Sequence, residues 1–324
     1  MLESWQDEID IDFAMSLSAL HQGWNYPPLQ RVMKGESAQI WADNRPEFAN
    51  DLALIRLQIL ERQNRYTEYL NLAFAEGMTL QYLIQLAALG RVEEAMSAAK
   101  NQMETAEAAF ALAKILRDDG YLSEALKIAQ AGLNLSGKCL YELASWTSDL
   151  AQGLGNISTA LNASIVAFET EPSFRDYVKI EELAGELWSE VKPDLLQVLR
   201  DDTGWGTQAA KVDIFLHEEL IDDAIKVVKT DGYYRSELVH RVMEAAIPHR
   251  PDWVIDNAQK RAEEIMNQGK ADRYNEAVRW LQKVKAAHFQ LRQQAEWTAY
   301  RSKLEADHGR KRKLMELFKE LNKS

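Results

Sequence analysis

Hydrophobic residues follow a helical period along most of this chain. Between residues 48 and 63, apolar side chains recur at helical spacing, at Leu52, Ile55, Ile59 and Leu60. This spacing places them on one face of an α-helix, where they can pack against a neighbouring element. The 324 residues include only 15 Gly and 7 Pro, which leaves little turn-forming material for an all-β fold. The pattern therefore predicts an all-α protein.

A six-residue motif divides the helical segments into pairs. Most copies begin with a turn residue, carry an apolar residue at the third position and end with an acidic residue and alanine. The last residues of successive copies are 26, 30, 35, 31, 33 and 53 residues apart, and spacings near 30 are typical of stacked helix pairs. The copies are NRYTEY (64–69), GRVEEA (90–95), GYLSEA (120–125), GNISTA (155–160), ELWSEV (186–191), ELIDDA (219–224) and DRYNEA (272–277).

Each motif position has an expected structural role. Gly90, Gly120 and Gly155 are predicted to end one helix in the left-handed conformation, which penalises residues with a side chain. The apolar third residue is predicted to fold back onto that helix. The acidic residue falls in the first turn of the next helix, where negative charge meets the positive end of the helix dipole. Alanine at the end of five copies lets two helices approach closely.

These helix pairs predict a right-handed α-α superhelix, which is a divergent tetratricopeptide-like solenoid. Residues 160–173 resemble the second helix of a tetratricopeptide repeat, because Ala160, Ala167 and Pro172 stand at the consensus offsets. The consensus residues of the first helix are missing. We therefore expect about seven or eight helix pairs of a divergent repeat.

Further boundaries follow from prolines, glycines and charge. The long last motif spacing is predicted to contain an additional helix pair, and the N-terminal helices are predicted to cap the solenoid. The first helices are predicted at 1–25, 29–41 and 48–63, and the additional pair at 237–247 and 253–266. The cap is predicted to cover residues 1–46, and a continuous solenoid to cover residues 47–324. The basic end of this solenoid is predicted at 270–324.

Charge and cysteine content narrow the class of protein. The net charge is −12, yet residues 270–324 hold 14 Lys and Arg against 7 Asp and Glu, as in a basic interaction segment on an acidic body. The one cysteine, Cys139, excludes an intramolecular disulfide and any multi-cysteine metal site. No apolar run reaches the ~18 residues that span a bilayer, and the acidic first residues are unlike a signal peptide. We expect a soluble, cytoplasmic protein that does not bind membranes.

No residue pattern in the sequence indicates catalysis. None of the six histidines pairs with another at the i, i+4 spacing that binds a metal on one helix face. His217, followed by Glu218, is a candidate acid–base group, but its place before a motif turn favours an ordinary surface histidine. Phosphate-binding loops and nucleophile motifs are absent. We therefore expect neither an enzyme nor a bound cofactor or metal.

Two local features are candidate contact sites. Basic residues near the C-terminus could bind phosphates, or they could be solvated and complement a helix dipole, and both interpretations stay open. Trp205, between two glycines of the predicted flexible joint DDTGWG (201–206), is a candidate exposed aromatic anchor. The basic residues are Arg301, Lys303, Arg310, Lys311, Arg312 and Lys313.

Residues 250–318 carry a proline–tryptophan pair, a Tyr-x-x-Ala-x-x-Trp-Leu helix and a basic helix that ends in His-x-Arg-Lys. The residues are Pro251 and Trp253, then Tyr274, Ala277, Trp280 and Leu281, then Trp297, and finally His308, Arg310, Lys311 and Lys313. The pattern resembles the C-terminal helical-repeat region of SWIM zinc-finger family proteins, over roughly residues 50–320. The family's Cys-x-Cys…Cys-x-His module is missing here, so its zinc and DNA binding do not transfer to residues of this chain.

These observations predict a non-catalytic scaffold that binds a protein partner, in a DNA-associated complex. A repeat array offers an extended surface for such a partner. The resemblance implies that the partner is a SWI/SNF-type helicase or a separate zinc-finger chain. The alternative is a nucleic-acid-binding module that acts through the basic C-terminal helices.

Overall fold

Helices form the regular structure of this protein, and the predicted all-α class is confirmed. The one pairing of extended residues in the part of the chain that is described is an isolated bridge between Thr105 and Ser136. None of the helices in that part combines the length and the apolar character needed to cross a bilayer. The residues that this computed structural model describes are 13–37, 39–41, 45–204, 206–230 and 236–321.

The chain divides into two compact units. The N-terminal unit comprises Met1–Thr170 with Glu182–Ala184, and the C-terminal unit comprises Glu171–Glu181 with Gly185–Ser324. The predicted cap over residues 1–46 stays a prediction.

The helices up to residue 170 are α1 (Ala14–His21), α2 (Pro27–Met33), α3 (Ala49–Arg62), α4 (Tyr66–Ala75), α5 (Thr79–Ala88), α6 (Val92–Gln102), α7 (Ala106–Asp118), α8 (Leu122–Gly132), α9 (Leu140–Gly153) and α10 (Ile157–Thr170). The helices after residue 170 are α11 (Phe174–Ala184), α12 (Trp188–Asp201), α13 (Gln208–His217), α14 (Ile221–Thr230), α15 (Ser236–Ala246), α16 (Pro251–Gln268), α17 (Tyr274–Gln290), α18 (Gln294–His308) and α19 (Arg312–Glu320). Short 3₁₀ turns, Gly185–Leu187 and Ala271–Arg273, precede α12 and α17.

Most motif turns share one backbone conformation. After α7, the Gly120 N–H donates to the carbonyl of Arg117 (2.9 Å), and the Tyr121 N–H donates to the carbonyl of Leu116 (2.7 Å). These two bonds satisfy carbonyls that the end of a helix leaves free. The left-handed glycines predicted from the motif are confirmed. The first motif residue has a positive φ in five copies, at Asn64, Gly90, Gly120, Gly155 and Glu219.

The third motif residue is the first residue of a helix in all seven copies. Val92 and Tyr274 are buried, as the prediction requires, but Leu122 and Ile157 are 38% and 46% exposed. The prediction that this residue folds onto the preceding helix is wrong for those two. A side chain in the first helical turn leans toward the helix N-terminus, over the turn, so it can remain outside the contact between paired helices. The seven residues are Tyr66, Val92, Leu122, Ile157, Trp188, Ile221 and Tyr274.

Small residues set the spacing between paired helices. Around Ala125 in the N-terminal unit, the core includes Leu112, Leu116 and Leu143. A Cβ added to Gly132 of α8 would lie 2.4 Å from the Cβ of Ala109 on α7, so these two helices are in close contact. The motif alanines, all 0% exposed, are Ala95, Ala125, Ala160, Ala224 and Ala277.

The predicted helix boundaries are confirmed where a motif turn or a clear apolar stripe defines them. The helix predicted at 48–63 is α3, and the additional pair is α15 and α16. The helix predicted at 29–41 is wrong at both ends. It begins at Pro27, because the first helical turn tolerates proline, and it ends at Met33, before Gly35 with a φ of +83°. Of the helix predicted at 1–25, residues 1–12 lie outside the described residues, and within them the helix is α1, which ends at His21 and not at residue 25.

Candidate functional site

The six basic residues near the C-terminus separate into two groups. Arg301 donates two hydrogen bonds to Glu305, at 2.6 and 2.9 Å. The Lys311 ammonium donates to the carbonyl oxygen of Met266 at 2.5 Å and lies 3.1 Å from Nδ1 of His308. The Lys311 contact joins the start of α19 to α16, whereas the Arg301 pair lies within α18. Arg301 and Lys311 therefore already bind neighbouring groups of this chain.

The second group comprises Lys303, Arg310, Arg312 and Lys313, which are exposed. No partner within the described ranges forms an ion pair with any of the four. The apolar side of α19 is packed through buried side chains such as Phe318, so its cationic side faces solvent. These four residues are the part of the predicted basic surface that can contact a phosphate.

Trp205 lies outside the described residues, so its role as an aromatic anchor stays a prediction. The loop before it, residues 202–204, lines a cavity of about 570 Å³ between α12, α13 and α14. Lys211 Nζ lies 3.1 Å from a carboxylate oxygen of Asp202. Burial alone would raise the pKa of Asp202, but hydrogen bonds from Thr207, Gly204 and Lys211 lower it below its ordinary value.

The other charged groups of this cavity are also paired with one another. Arg200 and Lys226 each bind the carboxylate of Asp223, at 2.9 Å. The neighbouring wall is apolar and includes Leu199 and Phe215. Each of the three lining cations has a carboxylate partner, but Arg200 and Lys226 share one, so the described lining retains one net positive charge.

A groove of about 600 Å³ lies between α2, α4 and α5 in the N-terminal unit. Phe74 stands in its wall and is 58% exposed. The Phe74 ring contacts the ring of Tyr82, with centroids 5.6 Å apart. Asn71, three residues earlier on α4, donates to the carbonyl of Met33 at 2.9 Å. Ser37 and Thr67 also line the groove, which therefore combines two aromatic rings with polar side chains.

A cluster of metal-ligating side chains lies in the C-terminal unit. Glu181 is near the end of α11, His217 is the last residue of α13, and Glu218 follows it. Nε2 of His217 lies 3.0 Å from Oε2 of Glu181. One ligand atom from each of the three residues lies within 4.8 Å of the other two. We call these three residues the His217 cluster.

Two neighbouring side chains fix the carboxylate of Glu218. Tyr177 donates its hydroxyl to Oε1 of Glu218 at 2.9 Å, and the Lys192 ammonium donates to Oε2 at 2.8 Å. Burial, followed by the hydrogen bond to Glu218, raises the pKa of Tyr177, so its hydroxyl stays protonated and donates. The position of Glu218 is therefore determined by two side chains on two other helices.

Sequence reasoning missed the groove, and it singled out His217 and Glu218 without Glu181, the third residue of the His217 cluster. Phe74 occupies an ordinary apolar position of α4, and nothing in the local pattern distinguishes an exposed phenylalanine from a core one. Glu181 and His217 are 36 residues apart on different helices, so a search for ligands at i, i+4 on one helix cannot find them. Their convergence depends on helix packing.

Comparison with known proteins assigns no family. Neither the scan against protein-family models nor the search of curated proteins finds a match to this chain. The candidate sites are therefore interpreted from their own geometry.

Proposed function

We propose that this chain is a non-catalytic helical-repeat scaffold that binds a protein partner through the groove beside Phe74. The observation that carries the proposal is the exposed Phe74 ring in the wall of a concave site. Aromatic residues in such sites are common energetic anchors of protein–protein contacts. Thr67, Ser37 and Asn71 line the same groove and supply polar groups for the backbone of a bound segment.

Within each unit, we propose that the helix pairs stack as a right-handed, divergent tetratricopeptide-like repeat. The recurring turn at the motif and the buried motif alanines support this proposal. Such repeats commonly present a partner-binding surface between their helices.

The proposed partner is a chromosome-associated protein, either a SWI/SNF-type helicase or a separate zinc-finger chain. This part rests on the resemblance of residues 250–318 to the SWIM zinc-finger family. In this chain Tyr274, Ala277, Trp280 and Leu281 are all buried, so the pattern that carries the resemblance occupies core positions of α17.

The experiment is affinity capture from native lysate with three versions of the full chain. We expect the wild type and Leu154→Ala to retain one stoichiometric protein that Phe74→Ala loses. Leu154 is a matched control, because it is an exposed apolar residue of the same unit that lies outside the groove. Equal capture by all three versions would show that the groove is not the binding site. Absence of any stoichiometric protein would count against the scaffold itself.

A second candidate function is nucleic-acid binding by the basic C-terminal helices. Four exposed cations without an ion pair in the described part of the chain favour it. We expect salt-sensitive DNA binding whose salt slope falls by about one per phosphate contact removed. The test compares Arg310→Ala/Lys313→Ala with Lys229→Ala/Lys260→Ala, which removes the same charge from exposed sites of the C-terminal unit outside the basic end. Equal binding by both double variants would refute the assignment.

A further inference from the structure

The His217 cluster contains the donor atoms of a transition-metal site. Imidazole nitrogen and carboxylate oxygen together suit Zn²⁺ and its neighbours in the first transition row. Mg²⁺ and Ca²⁺ instead prefer six or more oxygen ligands, and this cluster offers fewer. Its ligand atoms, within 4.8 Å of one another, need only modest side-chain rotation to reach the ~2.0–2.2 Å bond lengths of Zn²⁺.

Local electrostatics favour a cation at this place. Glu181 and Glu218 contribute two negative charges against the one positive charge of Lys192. His217 and Glu218 lie at the C-terminal end of α13, where the helix dipole is negative. The cluster therefore retains net negative charge that a divalent ion can neutralise.

Neighbouring side chains hold the ligands in place. His217 packs edge-on against Phe174 and Tyr177, with ring centroids 5.5 and 6.2 Å away. Tyr177 and Lys192 each occupy one acceptor position on Glu218, and a carboxylate offers about four. A hydrogen-bonded outer partner such as the Tyr177 hydroxyl orients a metal-binding carboxylate. Lys192 also competes with a cation for Glu218.

We propose that Glu181, His217 and Glu218 bind one divalent transition-metal ion, with at least one coordination position open to solvent. Three protein ligands leave a tetrahedral ion one position for water. His217 and Glu181 are 37% and 36% exposed, so the ion can enter and leave from solvent. The ion replaces the hydrogen bond between His217 and Glu181 and ties Glu181 to the end of α13. This site is independent of the proposed partner-binding groove.

The test is calorimetric titration of the chelator-treated full chain with Zn²⁺, repeated with Co²⁺ so that visible absorption reports the ligand field. We expect one ion per chain. His217→Gln should abolish saturable binding, and Glu181→Gln should weaken it by at least about tenfold, as even outer-shell changes do. His249→Gln, at an exposed histidine outside the cluster, should bind as the wild type does.

Lys192→Met provides an independent variant. It removes the ammonium that competes for Glu218, so it should tighten Zn²⁺ binding. Circular dichroism of each variant establishes that its helices are intact. Failure of the wild type to bind either metal saturably, or binding by His217→Gln at wild-type affinity, would overturn the proposal.

Discussion

Replacing Gly120 by alanine tests how much the left-handed conformation of a motif turn matters for the stability of the protein. Gly120 has a φ of +88°, and a Cβ added there would meet no heavy atom within 4 Å. The substitution therefore creates no clash with another part of the protein. Its effect on stability comes from the backbone conformation of the residue itself.

Two opposing contributions determine how much Gly120→Ala changes the free energy of unfolding. Holding a residue with a side chain in the left-handed region costs roughly 1–2 kcal/mol. Alanine has less backbone freedom than glycine in the unfolded chain, which stabilises the folded state by about 0.4–1 kcal/mol. We therefore expect Gly120→Ala to lower the free energy of unfolding by about 1 kcal/mol.

Gly153→Ala is the matched control. Gly153 is the last residue of α9 in the same unit, its φ lies outside the left-handed region, and an added Cβ would again meet nothing within 4 Å. The same atoms are added, and only the backbone conformation differs. Because alanine is better than glycine in a helix, we expect a stabilisation of up to about 0.5–1 kcal/mol.

Urea and thermal unfolding of the full chain, followed by circular dichroism, compare the two variants. For a unit of this size, 1 kcal/mol corresponds to a shift of about 2–4 °C in Tm. The two substitutions should move the midpoint of the affected transition in opposite directions. A shift of the same sign for both would refute the reasoning, because it would show that the positive φ of Gly120 has no energetic role.

Three further predictions use the same unfolding measurements. Gly132→Ala should destabilise by about 1–3 kcal/mol through overpacking, since its Cβ would lie 2.4 Å from that of Ala109; wild-type stability would refute the close contact. Glu219→Gly should stabilise by up to about 1 kcal/mol, because Glu219 has a φ of +57°; a loss of stability would contradict this. His240 stacks on Trp280 at 3.5 Å, and burial lowers its pKa to about 4. The unfolded state accepts a proton on this histidine below about pH 6.5, whereas the folded state disfavours it. The free energy of unfolding should therefore fall as the pH decreases from about 6.5 to 4, by at most ~3 kcal/mol. His240→Phe should reduce this pH dependence, and an unchanged pH profile in the variant would refute the role of His240.

The sequence predicts the helices that follow motif turns because the motif encodes backbone conformation directly. A glycine with positive φ ends one helix, and the next begins two residues later, as at Gly90 and Val92. Where neither a motif nor a clear apolar stripe is present, the prediction is less accurate. Residues 29–41 have helical character, but the start at Pro27 and the left-handed Gly35 determine the limits of α2.

The candidate sites could not be predicted in the same way. A phenylalanine on a helix has the same local pattern whether packing buries it or leaves it in a groove, so Phe74 carries no sequence signal. The basic end was visible in the composition, but only the structure separates Arg301 and Lys311, which bind neighbouring groups, from cations such as Arg310. These distinctions depend on contacts between residues far apart in the chain.

Turn residues and candidate binding residues occupy different positions, so their variants should change different properties, stability or binding. Phe74 and His217 are exposed and lie outside the six-residue motif, so replacing them removes little core packing. Gly120 lies at a turn and lines neither the groove nor the His217 cluster. Phe74→Ala and His217→Gln should therefore change binding at nearly constant unfolding midpoint, whereas Gly120→Ala should change the midpoint at nearly constant binding. A binding variant that also unfolds early would assign its residue to the fold and not to a site.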